Sequence, residues 1–244
     1  VRYGYQSPCG TVDHALVPTP RFIELVGQLG TAEFPCFERV CFLDPPDRIL
    51  IPCAAGLDDQ LLPFRVYEQL DIHEDPILEG FNILHDKTGV KRRKNIPASE
   101  NLIKLLKKNH GMFFINQAVD IYNLISLESK LALGAHNIDR VEGNVTLRFT
   151  DGSERFIPIG QTVPLPVAPH EYCYCDDSNE VLCRLEIRQV EKTKVDEDAR
   201  NIFYIVQGNE ATPDPLLIDT AQQIIDLTTR YCGGSGEVIV PSVI

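Results

Sequence analysis

Apolar and polar positions along the chain fall into two periods. Between Gln117 and Ser129, Ala118, Ile121, Leu124, Ile125 and Glu128 recur at three- and four-residue spacing, which predicts a helix. Asp120, Asn123 and Leu127 fall on a neighbouring stripe, so its polar residues share a face. A shorter helix is expected from Ser99, as N-cap, to Lys108, with Leu102, Ile103 and Leu106 buried and Lys104, Lys107 and Lys108 turned away. Residues 64–85 read as helical, and so does "PRFIELVGQLG" at 20–30, opened by proline and closed by Gly30. A last helix runs from Pro215 to Tyr231 and stops at Gly233-Gly234.

After residue 140 the period becomes two. "NVTLRF" and "RFIPIG" flank Asp151-Gly152-Ser153 and predict a hairpin. "EYCYC" and "VLCRLEIR", joined through Asp176-Asp177-Ser178-Asn179, predict another, and "NIFYIVQG" a further strand. Strict alternation through 181–188 sets Val181, Cys183, Leu185 and Ile187 on one face and Leu182, Arg184, Glu186 and Arg188 on the other. "FERVCFL" and "RILIPCAA", split by Asp44-Pro45-Pro46-Asp47, read as two early strands. The sum is an α+β fold with mixed or antiparallel sheets and packed helices.

Composition narrows the partner. The net charge of −12 argues against a general nucleic-acid coat. Residues 91–108 nonetheless hold seven Lys/Arg against one Glu, a local +6 that leaves −18 on the remainder. Such a strip, with Lys91, Arg92, Arg93, Lys94, Lys104, Lys107 and Lys108, fits an anionic partner docked at one place, or a solvated helix face beside a basic loop. No apolar run approaches the length of a membrane span, and Val1-Arg2-Tyr3-Gly4 shows no leader pattern, so a cytoplasmic protein is expected. The eight cysteines are expected reduced and mostly buried. His170, Cys173, Cys175 and Cys183 could in principle ligate zinc, but Cys173-Tyr174-Cys175 lacks the usual two-residue spacer, and ordinary strand cysteines are the expectation. No cofactor or metal is expected.

Candidate chemistry is sparse. The chain shows no phosphate-binding glycine loop, nucleophile elbow or His-Glu-x-x-His. His136 stands alone among polar neighbours. Arg184, Glu186 and Arg188 on one strand face need partners, either a bound anion or one another.

Residues 115–140 bring in a family. Ile115-Asn116-Gln117-Ala118-Val119-Asp120-Ile121-Tyr122-Asn123-Leu124-Ile125-Ser126-Leu127-Glu128, then Ala132-Leu133-Gly134-Ala135-His136-Asn137-Ile138-Asp139, resemble the B3/B4 module of the bacterial phenylalanyl-tRNA synthetase beta subunit. "EGNVTLRFTDGSERF" is similar to the strand, turn and strand that follow there. Val-Leu-Cys-Arg at 181–184, Arg188-Gln189, Thr193-Lys194-Val195 and Arg200-Asn201 resemble free-standing B3/4-domain proteins still more. The resemblance spans about 85–232 and implies a B3/4-like domain at 85–244, with residues 1–84 an α+β region packed on it.

The synthetase module is an editing site that hydrolyses misacylated tRNA. The resemblance therefore implies an aminoacyl-tRNA-binding protein, a candidate trans-editing hydrolase, with tRNA rather than DNA as partner. It implies that Asn116 and Asn123 hold water or the ester carbonyl. Tyr122, Gly134, His136, Arg184, Glu186, Arg188 and Lys194 then line the substrate site, and the basic strip steers the RNA. The departures alter the substrate. The family's editing His falls at Gly134 and its Thr-Asn pair becomes Tyr122-Asn123. Its acidic tyrosine-reading residue falls near Lys194, and a pocket glycine near Glu186, so tyrosine selectivity does not transfer. A non-catalytic RNA-binding module and an amino-acid-like small-molecule binder remain open. Each reading expects the polar side chains of the central helix and of the arginine-bearing strand to converge on one concave pocket.

Overall fold

The computed structural model describes residues 3–5, 22–28, 67, 69–91, 95–109, 112, 115–239 and 242–243. The expected strands at 37–43 and 48–55 lie outside these. Ten strands and four α-helices are described: β1 (Tyr3–Tyr5), β2 (Phe22–Gln28), α1 (Pro76–Lys87), α2 (Ala98–Asn109), α3 (Gln117–Ser129), β3 (Ala132–Asn137), β4 (Val145–Phe149), β5 (Tyr172–Asp176), β6 (Val181–Arg184), β7 (Arg188–Gln189), β8 (Asn201–Gln207), α4 (Asp214–Cys232), β9 (Ser235–Ile239) and β10 (Ser242–Val243). A mixed sheet runs β10-β1-β4-β5-β6-β7, with β1 parallel to both its neighbours, and an antiparallel sheet runs β3-β8-β2-β9. The fold is α+β, as expected.

The two sides of the β3–β8 ladder face different layers. Ala132, Phe203 and Ile205 pack with Leu147, Tyr174, Cys183 and Leu185 of the mixed sheet and with Phe81 and Leu84 of α1. Ala135, Ile202, Tyr204 and Val206 pack instead with Ala118, Ile121 and Ile125 of α3 and Leu217, Ala221 and Ile224 of α4. Strand alternation makes this division, since neighbouring residues point to opposite faces. The antiparallel sheet thus lies between a helical layer and the mixed sheet. α1 closes one end, with Leu78 joining Ile103, Leu106, Leu124 and Leu127 in a third cluster among α1, α2 and α3.

The caps follow from sequence. Asp75 accepts from the N–H of Ile77 (3.0 Å) and of Leu78 (3.1 Å), and Pro76 occupies the first turn, where its missing N–H costs nothing. Asn116 caps α3 by accepting from Val119 N–H at 3.0 Å. Lys130 ends α3 at φ 62°, a left-handed position that glycine or asparagine usually fills, and its ammonium pairs with Asp75. Gly80, inside α1, is required by close approach: a Cβ there would lie 2.2 Å from Asn209 Oδ1, whose amide Nδ2 donates to Ile77 O at 2.8 Å.

Four local expectations are corrected. Residues 22–28 form a strand, not a helix, paired with β8 on one side and β9 on the other. Pairing along both edges of Phe-Ile-Glu-Leu-Val-Gly-Gln outweighs its local helical spacing. The 155–160 stretch does not pair with β4, whose antiparallel partner is β5. Glu154 closes the Asp151-Gly152-Ser153 turn instead, accepting from the N–H of Asp151 and Gly152 and pairing with Arg148. α2 starts one residue before Ser99, whose buried hydroxyl has no hydrogen-bond partner and so caps nothing. Strand alternation also fails after Arg184: Leu185 takes φ 50°, and the turn through Ile187 reverses the chain into β7.

Candidate functional site

That reversal builds a site. Tyr174, Cys183 and Gln189 are register partners across β5, β6 and β7, so they share the inner face of the mixed sheet. Opposite them stand Ala132, Gly134 and His136 of β3 and Ile205 and Gln207 of β8. With Leu133, Leu185 and Glu186 these residues surround a cavity of about 20 Å³. A void of that size holds about one water. Leu133, Gly134 and Gln189 are only half-buried and form its rim.

The lining is polar for an inter-sheet space. His136 is fully buried; its Nδ1 lies 2.7 Å from Thr193 Oγ1, and its Nε2 has no hydrogen-bond partner. Burial lowers its pKa to about 4, so the ring is neutral near pH 7. Glu186 enters because Leu185 turns left-handed; its side chain is only 5% exposed and pairs with Nε2 of His85, which is fully buried on α1. Gln207 Nε2 lies a long 3.4 Å from Glu186 Oε2, and Tyr174 donates its hydroxyl to Gln207 Oε1 at 2.8 Å. Gly134 leaves room for the Gln189 amide: a Cβ at 134 would meet Gln189 Nε2 at 2.6 Å. Burial pushes the Cys183 thiol well above its ordinary pKa, so it lines the cavity as a weakly polar group rather than a thiolate.

Of the residues singled out from sequence, Gly134, His136 and Glu186 meet here. No described residue of α3 lines the cavity, because α3 packs on the other face of the β3–β8 ladder. The expected convergence of helix and arginine strand therefore does not occur. Asn116 is spent on its cap and on Val195 O, to which its Nδ2 donates at 3.0 Å. Asn123 is half-buried without a hydrogen-bond partner among the described residues. Tyr122 meets Tyr204 edge-on at 6.3 Å between centroids. Arg184 points to the outer face, donating to Pro166 O at 2.6 Å, pairing with Glu171 at 3.3 Å and covering the Phe156 ring. Arg188, its register partner, is exposed. Lys194 pairs with Glu191, not with Glu186. In the basic strip, Lys104 pairs with Glu100 and Lys107 donates to Leu70 O at 2.9 Å. Lys91 and Lys108 are exposed, and Arg92, Arg93 and Lys94 lie outside the described residues.

Sequence reasoning missed His85, Gln189 as a cavity residue, Gln207 and Tyr174. Two of these had a signal. Gln207 continues the period of Phe203 and Ile205, and His85 falls beside Leu84 and four residues after Phe81 in a helical stretch. Cys173 and Cys175 are buried in β5, and burial raises the Cys175 thiol to about 12. Among the described residues no group of three His, Cys, Asp or Glu is placed to hold a metal, and no helix is long and apolar enough to cross a membrane.

Two stacked sheets enclosing a small polar void, with helices on the far side, define an α+β domain with one buried candidate site. Residues 87–230 match the model of the B3/4 domain, and the chain belongs to that family. Among solved structures, an N-terminal fragment of the phenylalanyl-tRNA synthetase beta subunit from Pyrococcus horikoshii is similar at 16% identity and a TM-score of 0.43. The match covers 52% of this chain and 42% of that fragment, so the chain spans less than half of its length. No curated protein matches the sequence.

Proposed function

We propose that this B3/4 domain binds the aminoacylated end of a tRNA and hydrolyses its ester in trans, with the inter-sheet cavity as the reacting site. The observation that carries the reading is that His136, whose Nε2 has no hydrogen-bond partner, lines a void of about one-water size. In the tautomer whose Nδ1–H donates to Thr193 Oγ1, Nε2 offers a lone pair to that water and acts as general base. The Gln189 amide borders the same space and can donate to the oxygen that gains charge. An aminoacyl ester is already activated, so a positioned water, a base and a donor suffice without a nucleophilic triad. Asn116 enters as a positioning residue. It fixes Val195 O, two residues beyond the Thr193 that orients His136.

A deacylation screen across a panel of charged tRNAs tests this. Wild-type protein is expected to discharge at least one of them, and His136→Ala to slow that step by about 10²-fold or more. If no tRNA is discharged, the hydrolase reading fails; if none is bound, the RNA reading fails with it. One observation favours a second reading, an amino-acid-like small-molecule binder. Lys104 and Lys107 are committed to partners within the protein, which thins the basic strip. That reading expects tRNA affinity to be negligible, whereas phosphate contacts would make affinity fall steeply with salt.

A further inference from the structure

We infer that the cavity is built to take a primary ammonium group, with Glu186 as its counter-ion and His85 as the residue that positions Glu186. The inference rests on reading the cavity as the binding site. It begins with partner accounting. A carboxylate offers about four acceptor positions. Glu186 has one close donor-side partner, His85 Nε2, and one distant one, Gln207 Nε2 at 3.4 Å. Among the described residues no Lys or Arg pairs with it. A carboxylate 5% exposed, without a full set of donors, is costly unless something supplies them.

Gln207 Oε1 accepts from the Tyr174 hydroxyl and, as an amide oxygen, keeps a second acceptor position. Glu186 enters from the mixed sheet and Gln207 from the antiparallel one, so a donor with several N–H bonds placed between them serves both and leaves His136 Nε2 to the water. Size then selects. The cavity measures only about 20 Å³, and –NH₃⁺ is about the size of a water. A guanidinium or an aromatic ring is too large, and an anion is repelled by Glu186. Water fits but brings two donors where –NH₃⁺ brings three. The body of the ligand enters over Gly134, where the Gln189 amide now fills the space of the missing side chain and has to swing aside. His85 matters because it comes from α1, outside the 87–230 family segment. The feature is thus set by a residue flanking the shared domain.

Two sources can supply the ammonium: the α-amine of any aminoacyl group, or the side-chain amine of a basic one. Titration calorimetry on the full chain separates them with four methylamides that contain no RNA and no ester. These are alanine methylamide, Nα-acetylalanine methylamide, Nα-acetyllysine methylamide and Nα-acetylnorleucine methylamide. At least one ammonium-bearing ligand is expected to bind tenfold or more tighter than its blocked or neutral counterpart; which pair shows the gap identifies the source. Glu186→Gln is expected to shrink the gap below twofold, and His85→Gln to narrow it without abolishing it. Equal affinity within both pairs, or a gap that survives Glu186→Gln, overturns the inference. If Glu186→Gln does not fold, the wild-type ranking of the four ligands decides alone. Because hydrolysis is not read, loss of the deacylase reading and loss of this one are separate results.

Discussion

On one face of the β3–β8 ladder, Ala135, Tyr204 and Val206 meet Ala118, Ile121 and Ile125 of α3 in an apolar seam. On the other, Gly134, His136 and Gln207 meet Tyr174, Cys183 and Gln189 around a void. The same two strands build both, and a single residue step separates them. Burial is complete at Ile121 on one side and at His136 on the other, so exposure does not distinguish the faces. What differs is that on the cavity face a buried polar atom without a partner belongs to a residue that lines a void. On the helical face the Tyr204 hydroxyl reaches Thr228 Oγ1 at 3.3 Å, while on the cavity face His136 Nε2 reaches nothing. A fold keeps an unpaired buried group at a cost, and such groups concentrate where function needs them.

Substitutions on the two faces should therefore fail in different ways. The largest effect is expected from His136→Ala on the cavity face: deacylation falls by about 10²-fold or more while unfolding stays cooperative. Single-turnover discharge of charged tRNA beside a urea melt reads both. A melt that collapses with the activity would make His136 a packing residue like those across the ladder. On the helical face, Ile121→Ala is expected to remove about 2–5 kcal/mol of stability by leaving a cavity among fully buried neighbours. At temperatures where it remains folded, its single-turnover rate should match wild type.

Titration separates the faces by sign. Burial lowers His136 to about 4, so between that value and its ordinary value near 6.5 the unfolded chain binds more protons than the folded one. Its contribution to stability is complete above about pH 6.5 and is lost as pH falls through that window. Asp120, near the start of α3, runs oppositely. Burial raises it from 3.8 to about 7, with Ile115 N–H donating to Oδ1 and Oδ2 left without a partner. The folded state then holds the extra proton, and stability is lost as pH rises from about 4 through 7. Each effect is on the order of a few kcal/mol. Melting temperatures from pH 4 to 8 should lose the acid-side slope in His136→Gln and the neutral-side slope in Asp120→Asn. Unchanged slopes would show that neither group carries the titration.

The smallest effect is expected at Gly134. A Cβ there meets only the terminal amide of Gln189, at 2.6 Å, which can swing aside because Gln189 is half-buried. Gly134→Ala should cost under about 1 kcal/mol yet alter ligand affinity at the rim several-fold. Adding Gln189→Ala should relieve the clash. Equal affinities in wild type and Gly134→Ala would remove the rim role from that position.

Sequence alone determined much of the frame. The 3.6 period between Gln117 and Ser129 predicts α3 to its observed ends. The apolar run in "NIFYIVQ" predicts β8. The motifs at 115–140 and 181–201 pointed to the B3/4 family, whose model matches residues 87–230. These features are local, repeating and set by backbone geometry.

The site was decided elsewhere. Periodicity placed Glu186 beside Arg184 and Arg188 on one face; the left-handed Leu185 and the return of β7 turned it inward instead. Its partner His85 lies 101 residues away in sequence, on another helix. The helix expected at 20–30 gave way, over 22–28, to a strand because β8 and β9 were there to pair with it. Only the assembled layers fix which buried groups meet, because a local pattern specifies which face a side chain points to and not what stands opposite it.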